Sequence, residues 1–599
     1  MSVRISISTK SQNLAINSHH YRSLLKTTRS PVMIPLPDLS VAEDFLGNLD
    51  NFLQWDDIFN LEPPKAGYVG TPQFTAFEDG FAVPWAIPSK LIGSPNGLPT
   101  TSPRHDLPAL ECTMGNSNAL LEANVLLRHF DEHVVPQITW VPMTQKSPLR
   151  ILNIPAAMIT LDQLIYMKQI PIKHANLSNL YAILACASYH LSIHPDFVPD
   201  KSSQYWDKIT ISSHSEAKSH LDLSLKLELK GRTKAKYKDQ LMAMLSLTTY
   251  AVLTQNQTEA RYHLINIEFL IRSRGLVKKR LSRRARLLHH QYTWIRILSE
   301  STLVIHNKIP HSTPCEAFWS HHLNSEETNI LALRHGSLPQ RDGNYELDDF
   351  LRIEPNESDS DLKVGDQKDV ECNLGDIHLV DSRNYPDEQH STINGISETW
   401  LGLLSQTTRL ANVLDQINNK SCTMSAERQL ALHRRSNYLE GMICSFTSRR
   451  MLPGDGKPKF HMTRALNAAL VIYFYRRVRQ VNPCILQGYV SQIIQELHRW
   501  DAALAQNGLN GPGTAWPAFM GGCEATETND RGSILQWLDR ASVQSGQASY
   551  SSAKKVMEEI WKRRDSRTSD ADMPPKPGES MSFSWMEYSK EKLQWLILA

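Results

Sequence analysis

Apolar residues that recur at helical spacing, in segment after segment, constrain this chain more than any single motif. The clearest instance runs from Leu281 to Thr302. There Leu281, Ala285, Leu288, Tyr292, Ile295, Leu298 and Thr302 return every three or four positions for about six turns. Such a stripe covers one face of an α-helix and has to be buried against a neighbour. The same period is present over 119–133, 176–193, 214–229, 236–254 and 258–274. It returns over 396–418, 424–447, 462–480, 484–506, 530–541 and 551–563. Consecutive helices with short connections predict an all-α fold, an array of antiparallel helical hairpins. No fixed-period repeat accompanies them.

Two regions depart from this pattern. Residues 1–118 are punctuated by Pro and Gly ("EPPKAGYVGTPQF", "GSPNGLPTTSPRHDLP") and read as a disordered tail. Residues 346–394 are acidic and rich in turn formers, too long for an ordinary loop, and read as a linker. The expected organisation is a tail over 1–118, a helical half over 119–345, the acidic linker over 346–394 and a second helical half over 395–599. The C-terminal "MSFSWMEYSKEKLQWLILA" is apolar enough to dock on the body.

Composition narrows the function. Lys plus Arg total 64 against 62 Asp plus Glu, so any nucleic-acid contact has to come from a local patch. The eight cysteines are Cys112, Cys186, Cys315, Cys372, Cys422, Cys444, Cys484 and Cys523, none in a C-x2-C pair, which suits a reducing compartment. The longest apolar run, "ALNAALVIYFY" at 465–475, is too short to span a bilayer, so no membrane is expected. The first acidic residue is Asp38, preceded by Arg4, Lys10, Arg22, Lys26 and Arg29 among serines. That composition fits a mitochondrial transit peptide, a disordered tail or sequence from a misplaced start.

Inside the tail, "DLSVAEDFLGNLDNFLQWDDIFNLE" (38–62) carries seven acidic residues and no basic one. Phe45, Leu49 and Phe52 share a helical face, and Trp55 and Phe59 continue the bulky series. Acidic residues interleaved with aromatics mark an amphipathic activation segment: repulsion keeps the chain open, and the rings enter a partner's groove as the helix forms. The alternative is a surface helix packed on its own domain.

Enzyme chemistry is hinted at twice. "HFDEH" (129–133) matches H-x-x-E-H, in which His129 and His133 would hold zinc and Glu132 act as base, but the sequence nominates no third ligand. The alternative is a salt-bridging helix surface. Cys186, His190 and His194 stand at i, i+4 and i+8, spread over about 12 Å of helix, too far for one ion. A core cysteine with satisfied histidines is the better account. No nucleophile elbow or phosphate cradle is present, and the expectation is no enzyme and no visible cofactor.

The run "LVKKRLSRRAR" (276–286) holds Lys278, Lys279, Arg280, Arg283, Arg284 and Arg286. Gly275 sits where a left-handed helix cap is preferred, and the next helix is expected to start near Ser282. The run is therefore a solvated helix–turn–helix corner or a nuclear import signal; phosphate contact there would carry no sequence specificity.

Several long stretches carry a family resemblance: "LLRHFDEHVVP", "SPLRILNIPAAMITLDQL", "ANLSNLYAILACASYHL", "AKYKDQLMAMLSLTTYAVL", "LIRSRGL", "RRARLLHHQYTWIRILSEST", "ISETWLGLLSQTTRLANVLDQI", "GTAWPAFMGGCEA" and "ILQWLDRA". Residues 120–306 and much of 395–599 resemble the regulatory region of fungal zinc-binuclear-cluster (Zn2Cys6) transcription factors, of the arginine-metabolism-regulator type. The resemblance implies a nuclear transcription regulator with an all-α, effector-responsive body and favours the activation reading of 38–62. Such proteins carry six cysteines in C-x2-C pairs around two zinc ions, and this chain has no cysteine before Cys112. DNA contact is then expected only if a zinc cluster is restored upstream or supplied by a partner. The implied partners are transcription machinery or co-activators and other transcription factors. The competing expectation is a non-DNA-binding helical co-regulator or scaffold, with a metal hydrolase at His129 and His133 last.

Overall fold

The computed structural model describes residues 117–139, 147–166, 171–275, 282–302, 396–419, 426–448, 457–569, 583–592 and 596–598. Among these, every regular element is helical. The first group is α1 (Ser117–Leu121), α2 (Ala123–His129), a π-turn over Phe130–Val134, α3 (Val135–Ile138), a π-turn over Leu149–Asn153, and α4 (Ile154–Ile165). It continues with α5 (His174–Ile193), α6 (Ser203–Leu227), α7 (Tyr237–Thr254), α8 (Gln257–Leu270) and α9 (Arg283–Ser301). The second group is α10 (Glu398–Asn419), α11 (Ala426–Ser448), α12 (Pro458–Arg477), α13 (Gln487–Gln506), α14 (Trp516–Glu524), α15 (Thr528–Ser545), α16 (Ala548–Ser569) and α17 (Trp585–Lys592).

Residues adjacent in sequence pack in pairs, α5 on α6, α7 on α8, α12 on α13 and α15 on α16. Helix α5 is apolar on all sides and is buried from Ser178 through Ser188 without a break, enclosed by α2, α4, α6 and α7. Its two buried polar residues near the start are answered, Ser178 by donating to the Ala217 carbonyl at 2.8 Å and Asn179 through Asn153 of the π-turn. Asn179 Nδ2 donates to the Asn153 carbonyl (3.0 Å), while Asn153 Nδ2 and Asn179 Oδ1 both bond the Ser246 hydroxyl at 2.8 Å. One small polar knot thus ties the second π-turn, α5 and α7. Helix α6 begins earlier than its apolar stripe suggests, because Ser202 caps it by accepting from the Tyr205 amide at 3.3 Å.

The residues Ala285, Leu288, Tyr292, Ile295, Leu298 and Thr302 are buried as the stripe requires, but so is the opposite face of α9. The fully buried Arg296 is paired with Glu300, with Glu268 at 3.1 Å and with the Tyr292 hydroxyl at 2.9 Å. The His289 ring meets the Tyr237 hydroxyl at 2.7 Å. Helix α9 is a central element whose polar side is neutralised by neighbours. Ser282 is its N-cap, as expected. Gly275 is not a left-handed cap; a Cβ there would stand 2.5 Å from the Tyr237 hydroxyl, so close approach is what requires glycine.

Helix α14 is short, yet every one of its residues is buried. The chain reaches it through Gly511 and Gly513, both at positive φ, where a Cβ would strike the Pro136 carbonyl and the Met462 side chain. Trp516 Nε1 donates to the Ser301 hydroxyl (2.8 Å), and Tyr473 of α12 donates to the Ser301 carbonyl (2.9 Å). The Trp516 ring meets Trp400 of α10 edge to face, with centroids 5.5 Å apart. The ends of α9, α10, α12 and α14 therefore converge on one aromatic knot.

The C-terminal segment docks as its composition suggests. Phe583, Trp585, Leu596, Ile597 and Leu598 are buried. Thr302 and Thr514 hydroxyls donate to the Leu596 and Leu598 carbonyls, and the Gln255 amide brackets Ile597 by bonding both its N–H and its C=O. Residues Pro108–Ala599 cluster as one contact unit, in which α9 packs on α10 and α16 on α7. The linker 346–394 lies outside the described residues. Among the described residues, no helix is long and apolar enough to cross a membrane; "ALNAALVIYFY" is the buried middle of α12.

Candidate functional site

The two histidine motifs that look unconnected in the sequence are brought together. The last residue of α2 is His129, and the chain widens into the π-turn Phe130–Val134, which carries His133. The turn is anchored from outside by Arg150, whose guanidinium donates to the Asp131 carboxylate at 2.6 Å and to the Asp131 carbonyl at 2.5 Å. His190 stands in the last turn of α5, and His194 follows as its C-cap residue. His129 Nε2 and His190 Nδ1 form a buried hydrogen bond of 2.9 Å. Ring centroids are 4.9 Å apart for His129 and His133, 5.0 Å for His129 and His190, and 4.6 Å for His190 and His194. The Phe197 ring lies against the group, 4.3 Å from His133 and 5.2 Å from His129.

Burial sets the chemistry of this cluster. His129 and His190 are held down at about 3, first by desolvation and then by the neighbouring imidazoles, so both are neutral near pH 7. Burial also lowers His194, opposed by the Asp196 carboxylate. Nε2 of His190 and Nε2 of His194 are buried without a hydrogen-bond partner. Other histidines in this fold meet a carboxylate instead, His214 on Glu259 and His461 on Glu496, each at 2.8 Å.

This geometry corrects two expectations. His129 and Phe130 are buried, so "HFDEH" is only in part a solvated, salt-bridging surface: Asp131 pairs with Arg150, and Glu132 faces water 3.9 Å from the half-exposed His133. His190 and His194 are not fully satisfied core histidines. Cys186 is a core residue as expected, its thiol pushed up by burial. The partners of the first pair come from the second, 57 positions on (His133 to His190), and Phe197 completes the group. Each pair is H-x3-H, a spacing visible in the sequence, but their meeting is a property of how α2 packs on α5.

The remaining expected residues are placed as follows. Phe45, Leu49, Phe52, Trp55 and Phe59 lie outside the described residues, as do Lys278, Lys279 and Arg280. Arg283 is the first residue of α9. Arg284 and Arg286 are half-buried in its first turn, and the positive charge of Arg284 bears on Asp239 of α7. Among the described residues Cys186 and Cys523 are buried and Cys444 and Cys484 exposed. With no C-x2-C pair among the eight cysteines, these residues do not fit a binuclear zinc cluster, and no step is derived through one.

A sequence profile described as the fungal specific transcription factor domain matches residues 125–599, the whole of this helical body from α2 onward. The chain belongs to this family. The fungal-specific transcription factor domain therefore includes both histidine pairs, the aromatic knot and the docked C-terminus. It is a family of transcription factors rather than enzymes, in line with the reading that no motif here builds a complete catalytic site. The chain is also similar to arginine metabolism regulation protein II of Saccharomyces cerevisiae, at 23% identity over 479 residues, 74% of this chain and 53% of that protein. It thus spans about half the length of that curated relative. No solved structure matches the chain.

Proposed function

We propose that the chain is a nuclear regulator of transcription, controlling genes of arginine or other amino-acid metabolism or another pathway-specific set. The observation that carries this reading is the family match over residues 125–599, which spans the helical body. Similarity to the yeast arginine metabolism regulator supports the amino-acid assignment. In this reading the body responds to an effector or a partner protein, and its change of state exposes or masks residues 45–59. Phe52, Trp55 and Phe59 then enter a groove on the transcription machinery or a co-activator. Lys278, Lys279, Arg280, Arg283, Arg284 and Arg286 serve nuclear import. The proposal assigns no DNA-reading step to these 599 residues, whose cysteines supply no cluster ligands; contact with DNA then comes through a zinc cluster restored upstream or supplied by a partner.

The test is to fuse residues 38–62 to an unrelated DNA-binding domain and measure a reporter. Activation that is lost on changing Phe52, Trp55 and Phe59 to Ala supports the reading. No activation, or activation indifferent to those three rings, rejects the activation segment.

A further inference from the structure

We infer that the corner between α6 and α7 is a phosphate-binding face that holds the backbone of duplex DNA without reading its sequence. The stretch "KLELKGRTKAKYK" (226–238) carries six basic residues, Lys226, Lys230, Arg232, Lys234, Lys236 and Lys238, against one acidic residue, Glu228. A chain whose net charge is only +2 thus concentrates positive charge at one place. Glu228 does not face outward. Its carboxylate is buried and accepts from the His174 and Ala175 N–H groups, at 2.8 and 3.1 Å, at the start of α5.

The fold displays these charges on a tied turn. Gly231 turns the chain at φ 77°, the Thr233 hydroxyl donates to the Leu227 carbonyl at 2.8 Å, and the Ala235 N–H closes on the Glu228 carbonyl at 2.9 Å. From outside, Lys173 Nζ donates to the Thr233 carbonyl and Arg274 Nη2 to the Ala235 carbonyl, both at 2.8 Å. Ala235 and Tyr237 are buried while Lys234 and Lys236 are exposed. This is the alternation of an extended chain, and it sets the two lysines about 6.6 Å apart on one side. Lys226, Lys230 and Arg232 are exposed as well. Helix α7 starts at this corner with no side-chain cap, so the positive end of its dipole adds to the field. Asp239, the next carboxylate along the chain, is half-buried and lies under the charges of Lys238, Lys236 and Arg284.

The chemistry of the face selects the partner. Lysines are compact point charges on flexible stems and neutralise phosphates without demanding a fixed geometry. Between Lys226 and Lys238 the one exposed large apolar side chain is Leu227, so an amphipathic acidic helix would find no groove for its rings. A phosphate backbone needs none. Base reading stays with a zinc cluster upstream or on a partner, and the corner adds affinity and orientation. The inference is independent of the activation segment, whose failure would leave it standing.

The test measures binding of the full chain to a labelled short duplex of arbitrary sequence by fluorescence anisotropy. With about five phosphates neutralised, log K should fall against log salt with a slope of about −4.5, a loss of about 500-fold between about 50 and 200 mM salt. The variant Lys226→Gln, Arg232→Gln, Lys234→Gln is changed only at exposed positions of the corner. It should keep its helical content and make that slope shallower by about 3. The matched variant Lys208→Gln, Lys555→Gln, Lys562→Gln, with the same loss of charge at exposed positions elsewhere, should leave the slope unmoved. Absent binding at about 50 mM salt, a slope that the corner variant leaves unchanged, or equal weakening by the matched variant overturns the face. So does corner-dependent capture of a peptide of residues 38–62 with no binding of the duplex, which would make the corner a seat for an acidic segment.

Discussion

Gln255 offers a sharp test of how this body is closed. It ends α7 in the left-handed region, φ 56° and ψ 31°, where a residue with a Cβ is strained by about 1 kcal/mol. Its side-chain amide accepts from the Ile597 N–H at 3.2 Å and donates to the Ile597 carbonyl, with the Ile597 side chain fully buried. Replacing Gln255 by Ala keeps the strain, removes two hydrogen bonds and strands one buried amide and one buried carbonyl. Two net bonds at about 1 kcal/mol each, plus part of the cost of the stranded groups, sum to about 2–4 kcal/mol. Replacing it by Gly removes the same bonds but relieves the strain, so the loss should be smaller by about 1 kcal/mol. Hydrogen exchange of the C-terminal peptide reads this directly: exchange at Ile597 should accelerate about 30- to 700-fold in Gln255→Ala, and less in Gln255→Gly. Unchanged exchange in the Ala variant, or a Gly variant better protected than the wild type, would refute the bracket.

Other perturbations follow from the same packing. Glu524 is buried and takes Arg476 Nε at 2.9 Å and Arg564 Nη2 at 3.3 Å, so Glu524→Gln should lower stability in urea by about 3–5 kcal/mol. By contrast, Lys554→Ala, which breaks the exposed pair with Asp539, should cost no more than about 1 kcal/mol. Gly532 has open space where a Cβ would go and sits inside α15, so Gly532→Ala should raise stability by about 0.5–1 kcal/mol; a Cβ at Gly522 would stand 2.2 Å from Met557 Sδ, so Gly522→Ala should lower it by about 1–3 kcal/mol. Urea midpoints check all four. His289 is held down at about 3 by burial and by His290, while in the unfolded chain it titrates near 6.5. The unfolded state therefore binds the proton first, and stability should fall as pH drops from about 6.5 toward 3, by up to about 1.4 kcal/mol per pH unit from this ring. His289→Gln should flatten that part of the pH–stability profile, and an unchanged slope would contradict the assignment.

Much of the helical body can be read from spacing because its long helices bury residues at a 3.6-residue period, as the stripe from Ala285 to Thr302 does. Helix α14 escapes that reading: with a proline, two glycines and nine residues, all buried, it has no polar face to give a period. Helix α9 misleads in the opposite sense. Arg296, Glu300, His289 and His290 look like a wet face, yet they are buried: Glu268 and Tyr237 come from other helices to meet Arg296 and His289, and Tyr292 of the same helix meets Arg296. Gly275 has the right position for a left-handed cap and serves instead to admit the Tyr237 hydroxyl. The histidine cluster shows the same limit. Each H-x3-H pair is plain in the letters, but the pairing of α2 with α5 is decided by the apolar sides of those helices, which say nothing of which histidines will meet.

The central claim is that this chain regulates transcription, and it is tested most directly by removing the chain from its host and measuring all transcripts with and without arginine in the medium. The account predicts that a restricted group of transcripts shifts, with genes of arginine or other amino-acid metabolism among them, and that the full chain restores them while a chain lacking residues 38–62 does not. An unchanged transcript profile in both media, or full restoration by the chain without 38–62, would contradict it.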